Sequence, residues 1–184
     1  LMQEPPRKSS EGLFSHGGLS TTLCYGAVIG AISLLAFLTV PYGELLKQNL
    51  PLTVRNLEKI LRLGPVLNKA QTHAFTVLGI SQLMHAVGMR DTNKSVFRMN
   101  HLENVYMLIA WGAGFALQAM VTEIPYFLEL FGTSRLSIPE WGTLAALSAM
   151  PLFVHELLIL SHAMGQEKKA GGQSPAEVLH ASSR

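Results

Sequence analysis

Gln82 and His85 stand inside an apolar stretch, THAFTVLGISQLMHAVG, that runs from Thr72 to Gly88 without a formal charge. Polar groups in such a stretch are costly unless something receives them. The carboxamide oxygen of Gln82 can ligate a hard cation, or support a ligand, without adding charge. At about 100° per residue, Thr76, Gly79, Gln82 and Ala86 share one side of a helix, so the spacing predicts a small and polar stripe facing other helices. The same stripe could serve as interhelical glue with no ion involved. A second pair, His155 and Glu156, lies in PLFVHELLIL. Neighbouring helical residues point about 100° apart, which argues against both gripping one metal ion. Nothing suggests nucleophilic catalysis, because the seven histidines are scattered singly through the chain and no acid, base and nucleophile recur together.

The elements that carry these residues follow from composition. The chain has 184 residues, 48% of them hydrophobic and only 14% charged, against about 25% charged in ordinary soluble domains. That composition predicts an all-α membrane protein. A net charge of +2, with scattered basic residues and no interleaved aromatics, excludes a nucleic-acid partner. The single cysteine, Cys24, allows no intrachain disulfide and is expected to pack.

Four spans are expected, over residues 18–42, 70–89, 105–126 and 139–163, forming a transmembrane bundle within residues 18–164. No charged residue occurs from Gly17 to Gly43, and at about 1.5 Å per residue that run exceeds a hydrocarbon core of roughly 30 Å. Gly26 and Gly30 put two bare patches on one face for helix packing, and Gly79 and Gly112 are candidates for the same role. Pro41 and Tyr42 are expected to mark the exit. In the following link, Leu57, Ile60 and Leu61 recur opposite Arg55, Lys59 and Arg62, the pattern of a short helix lying along the interface. In the third span Glu123 is expected as an interfacial anchor, with Pro125 ending the helix. Ile138-Pro139-Glu140-Trp141 is a good entry for the fourth, in which Pro151 should introduce a kink. Residues 1–17 read as a cytosolic loop segment and residues 165–184 as a flexible polar tail, with one capped turn at SPAEVLH. Among the short links, Arg90, Lys94 and Arg98 face only Arg135 on the opposite side, which predicts both chain ends in the cytosol.

Four segments, taken in order, resemble the type II P-type cation-transporting ATPases, the calcium and sodium/potassium pump group. MQEPPRKSSEGLFSHG is similar to the loop before their seventh membrane helix, and the Thr72 to Gly88 stretch to their eighth helix. KSVFRMNHLENVYMLIAW is similar to the turn into the ninth, and IPYFLELFGTSRLSIPEW to the passage from the ninth to the tenth. The resemblance implies the last four membrane helices of a calcium-pump-like ATPase. Its partners would be the remaining helices and cytosolic domains of the pump, the lipid bilayer and the transported cation. It implies ATP and Mg as requirements of the parent and none of this chain, which lacks the DKTGT phosphorylation motif and is expected to be inactive alone. A prokaryotic parent would reside in the plasma membrane. Gln82 falls where some calcium pumps have glutamate and others glutamine, so the resemblance implies one fewer calcium per cycle. Where family tenth helices carry an acidic pair and a lysine, this chain has His155, Glu156 and Ile159.

The chain begins at Leu1 and reads as a piece of a longer frame, although translation from Met2 would make it a free-standing four-helix membrane protein that binds other membrane subunits. A third reading is a metal-ion carrier using His85, His155 and Gln82.

Overall fold

The computed structural model describes residues 18–89, 96 and 105–171, and every regular element among them is helical. The first helix, α1 (Gly18–Lys47), is longer than expected because Pro41 lies inside it. Proline removes one backbone donor but leaves the rest of the ladder intact, and here its ring is fully buried against the bundle. The helix stops instead at a left-handed residue, Asn49 (φ 51°). Its amide donates to Leu46 O at 3.1 Å and that of Leu50 to Leu45 O at 3.0 Å, which satisfies the last carbonyls.

The short helix expected in the first link is present as α2 (Val54–Leu61), capped by Thr53 Oγ1, which accepts from Asn56 N at 3.3 Å. Ile60 is the residue it buries. Next comes α3 (Gly64–Gly88), which starts six residues before the expected span. Gly64-Pro65 opens it, with proline in the first turn where no donor is needed. Asn68 and Lys69 resemble linker residues in the sequence, yet they occupy its first two turns.

The third apolar helix, α4 (Val105–Glu123), ends just before Pro125. Pro125 does more than end it, for it opens an unforeseen short helix, α5 (Pro125–Phe131), closed by Gly132 at φ 63°. The chain then enters α6 (Ile138–Ser148), where both the amide and the hydroxyl of Ser137 donate to Glu140 Oε2, at 2.8 and 2.7 Å. The kink expected from Pro151 takes the form of a break at Ala149, after which α7 (Met150–Gly171) continues the span. That helix runs past the expected start of the tail at residue 165, through Gln166, Glu167, Lys168 and Lys169, which are good helix formers. The SPAEVLH turn, the loop at residues 1–17 and the basic residues Arg90, Lys94 and Arg98 lie outside the described residues.

α3 is the hub: it packs most extensively on α1 and also touches α2, α4, α6 and α7. The central apolar cluster is Ile32, Ala36, Val77, Leu136 and Leu144, with Trp141 and Leu147 at its edge. Three helical stretches are long and apolar enough to cross a membrane: Leu19–Lys47, Val105–Glu123 and Ile138–Ser161. Within an 18-residue apolar window of each, only 11% to 22% of the positions are buried inside the chain, so apolar surface is left pointing outward, as lipid requires and water does not. α3 reaches the necessary length at 25 residues, but its buried Thr72, His73, Thr76 and Ser81 make it less apolar.

Candidate functional site

The polar stripe on α3 divides in two. Thr76 is fully buried, and its hydroxyl accepts from Gln118 Nε2 of α4 at 3.1 Å. Gly79 lies beside the same carboxamide, so close that a Cβ there would stand 2.7 Å from Gln118 Oε1. Thr122, one turn further along α4, donates to the Gln118 carbonyl at 3.1 Å. Gln82 and Ala86 are exposed instead and face away from the rest of the chain. The first half of the stripe is therefore interhelical glue, while Gln82 presents a free amide on the outer face of the hub helix.

Hydroxyls secure the hub elsewhere. Thr72 Oγ1 accepts from Ser134 N at 2.9 Å, tying down the loop before α6, and Ser148 Oγ of α6 lies 3.5 Å from the Val77 carbonyl of α3. Glu123 anchors the end of α4 to the start of α6: it accepts from Trp141 Nε1 at 2.9 Å and lies 3.5 Å from Arg135 Nε.

At the end of the bundle where α1 begins and α3 finishes, Tyr25 stands between the two singled-out histidines. Its ring centroid is 4.2 Å from that of His85, and its hydroxyl is 3.5 Å from His155 Nδ1. His155 is buried against Gly88, where an added Cβ would meet its ring at 3.3 Å. Glu156 points elsewhere, accepting from Val96 N at 2.7 Å. His155 and Glu156 thus diverge, as their adjacency requires. Among the described residues no group of three or more His, Cys, Asp and Glu side chains is placed to hold a metal ion.

Of the four glycines expected to admit another helix, Gly79 alone does so among the described residues. Gly26, Gly30 and Gly112 have nothing within 4 Å of an added Cβ. A further close approach occurs at Gly114, where a Cβ would meet Leu83 Cδ2 at 2.7 Å. Sequence reasoning missed Gln118 and His73. The signal for Gln118 was available, since a lone carboxamide in the apolar run of α4 meets the same criterion that marked Gln82.

A helical bundle with apolar outer faces and inward hydroxyls and amides defines the class: a membrane-embedded, multi-span protein. Residues 1–160 match the family described as "Cation transporting ATPase, C-terminus", and the chain belongs to that family. It is 33% identical over 162 residues to the Calcium-transporting ATPase 1 of Bacillus cereus, which covers 88% of this chain and 18% of that protein. The Calcium-transporting ATPase of Bacillus subtilis is 29% identical over 154 residues, 84% of this chain and 15% of the relative. For the Calcium-transporting ATPase 1 of Saccharomyces cerevisiae the identity is 23% over 157 residues, 85% and 14% of the two chains. The chain thus spans less than a fifth of the length of these relatives.

Proposed function

We propose that this chain supplies the last four membrane-crossing helices of a calcium-transporting ATPase and turns Gln82 toward that pump's ion-carrying helices. α3 is the second of the four. Its 25 residues extend about 37 Å at 1.5 Å each, enough for a core of roughly 30 Å, and its hydroxyls are satisfied within the chain rather than left to lipid: those of Thr72 and Ser81 donate to the Asn68 and Leu78 carbonyls of α3 itself, and that of Thr76 accepts from Gln118 of α4. The helices run in alternating directions, with both chain ends in the cytosol and α2 along the opposite interface. ATP, Mg and the phosphorylated aspartate belong to the remainder of the pump. These helices hold the transport domain in place, and the isolated chain hydrolyses no ATP.

The single observation that carries the reading is the exposure of Gln82. Thr76, one and two-thirds turns earlier on the same helix, is satisfied within the chain. A carboxamide left on an outer face at membrane depth needs a partner from outside the chain. An ion-binding helix pair supplies one, with the Gln82 oxygen as ligand or as hydrogen-bonding support for a ligand. Gly26 and Gly30, open on α1, suit close approach by further helices of the same pump.

The test is calcium-dependent phosphorylation of the full-length protein over a range of calcium concentrations. Gln82→Leu keeps the volume and removes the oxygen, and should weaken calcium affinity roughly fivefold to a hundredfold, the effect of losing one good hydrogen bond or neutral ligand. Gln82→Glu should raise it. An unshifted midpoint in both variants, with lowered thermal stability, would reduce Gln82 to packing.

A further inference from the structure

Helix α2 presents three different faces. At about 100° per residue, Ile60, the pair Val54 and Leu61, and the pair Arg55 and Lys59 point in directions roughly 120° apart. Ile60 is buried, which holds the first face against the bundle, where α2 packs on α1 and α3. Leu57, between the first face and the second, is half-buried. The second face leaves apolar surface in the open: Val54 is 84% exposed, and Leu61 beside it partly so. The third is basic, with both Arg55 and Lys59 exposed.

Local bonds fix how these faces are turned. Asn56 Nδ2 donates to the Pro51 carbonyl at 2.9 Å and, with the Thr53 cap, sets the entry to the helix. At the other end Arg62 Nη2 meets Glu58 Oε1 at 2.6 Å, which neutralises the one carboxylate that α2 carries. The carboxylates on the adjoining ends of α1 and α6 are taken as well, Glu44 by Lys47 at 3.4 Å and Glu140 by Lys69 at 2.7 Å. Arg55 and Lys59 meet no carboxylate among the described residues. They stand one turn apart on a helix, so their Cβ atoms are about 5–6 Å from each other and both long side chains can converge on one anion.

We propose that α2 binds an anionic phospholipid, with the acyl chains along Val54 and Leu61 and the phosphate between the Arg55 guanidinium and the Lys59 ammonium. A phosphodiester headgroup without a cation of its own, as in phosphatidylglycerol, answers both charges, whereas choline or ethanolamine would bring a third cation up to them. A soluble anion would engage the basic face and leave Val54 in water. A lipid engages both faces at once, the combination of apolar burial and charge by which an amphipathic helix holds an anionic membrane surface. Ile60 keeps α2 at the rim of the bundle, where α1 finishes and α3 begins. If those helices cross a bilayer, that rim is the boundary between hydrocarbon and headgroups, and the basic stems are long enough to reach from one to the other. The inference therefore rests on the membrane reading above.

Native mass spectrometry of the full-length protein, reconstituted with phosphatidylglycerol and phosphatidylcholine of identical acyl chains, tests the headgroup. Arg55→Gln combined with Lys59→Gln, both at exposed positions, should remove one bound anionic lipid and no choline lipid. Affinity at that site should fall roughly thirtyfold, about fivefold for each basic side chain near an anionic surface. High salt should release the same lipid from the unmutated protein. Excess glycerophosphoglycerol, which has the headgroup and no chains, should not displace it. For the apolar face, a bimane on Val54→Cys, in full-length protein without other cysteines, should be quenched by brominated acyl chains. Anionic lipid retained in equal number after the double substitution overturns the inference, as does displacement by the soluble headgroup. So does a Val54 probe that stays bright while lipid is retained, the result that a protein partner seated on α2 would give. Failure of the calcium reading leaves the lipid preference standing, whereas failure of the membrane reading leaves no lipid of any class retained and removes this inference with it.

Discussion

Gly79 has no room for a methyl group on the side that meets α4. A Cβ there would stand 2.7 Å from Gln118 Oε1, the movable end of a flexible side chain, so the carboxamide must swing away and abandon Thr76. Gly79→Ala should therefore cost about 1 kcal/mol, the worth of one net hydrogen bond. Combined with Gln118→Ala it should cost less than the sum of the two, because the clash and the bond share one group. Thermal unfolding of the full-length protein as a double-mutant cycle measures this, and strict additivity would separate Gly79 from Gln118. At this scale the sequence identified polar residues but not their directions. Thr76 and Gln82 stand on one stripe, yet one is buried and the other exposed, because α4 covers only part of that face. His73, near the beginning of the apolar stretch, carries no spacing signal that marks it. Its partners Thr39 and Glu140 come from α1 and α6, which no local pattern connects to it.

The helices themselves were legible wherever apolar runs were long and uninterrupted, and their ends were not. Prolines were legible to different degrees: Pro41 lies within α1 rather than at its exit, Pro125 ends α4 as expected but also starts α5, and at Pro151 the chain breaks as expected, two residues earlier. The difference is tertiary. A proline removes one donor, and whether the helix survives depends on the packing around it. The actual stop of α1 was written in Asn49, a residue type that tolerates the left-handed conformation. Asn49→Val should cost roughly 1–2 kcal/mol, since a branched side chain is strained at φ 51°. Asn49→Gly should be nearly neutral. Hydrogen exchange at the Leu50 amide, which donates to Leu45 O at 3.0 Å, should quicken in the first variant and not in the second.

For the whole molecule, composition alone indicated a membrane protein, and the outward apolar faces agree. α3 was the harder case: the residues that make it the hub are the ones that lower its hydropathy. Its crossing can be measured directly. With Cys24 replaced by Ala, Leu52→Cys in the first link should react with an impermeant thiol reagent from outside intact cells. Asn93→Cys, in the link after α3, should react only after permeabilisation. Labelling of both from one side would mean that α3 does not cross. Gly26 and Gly30 remain open and Gln82 exposed on the finished bundle. In the proposed pump other helices cover these positions, and made without them the chain would hold a bare carboxamide in hydrocarbon, the kind of flaw that membrane proteases survey. Its lifetime in the cell is then set by how quickly it meets its partners. Pulse-chase of residues 1–184 alone should show rapid loss, slowed by Gln82→Leu, the same change proposed to weaken calcium affinity in the assembled pump.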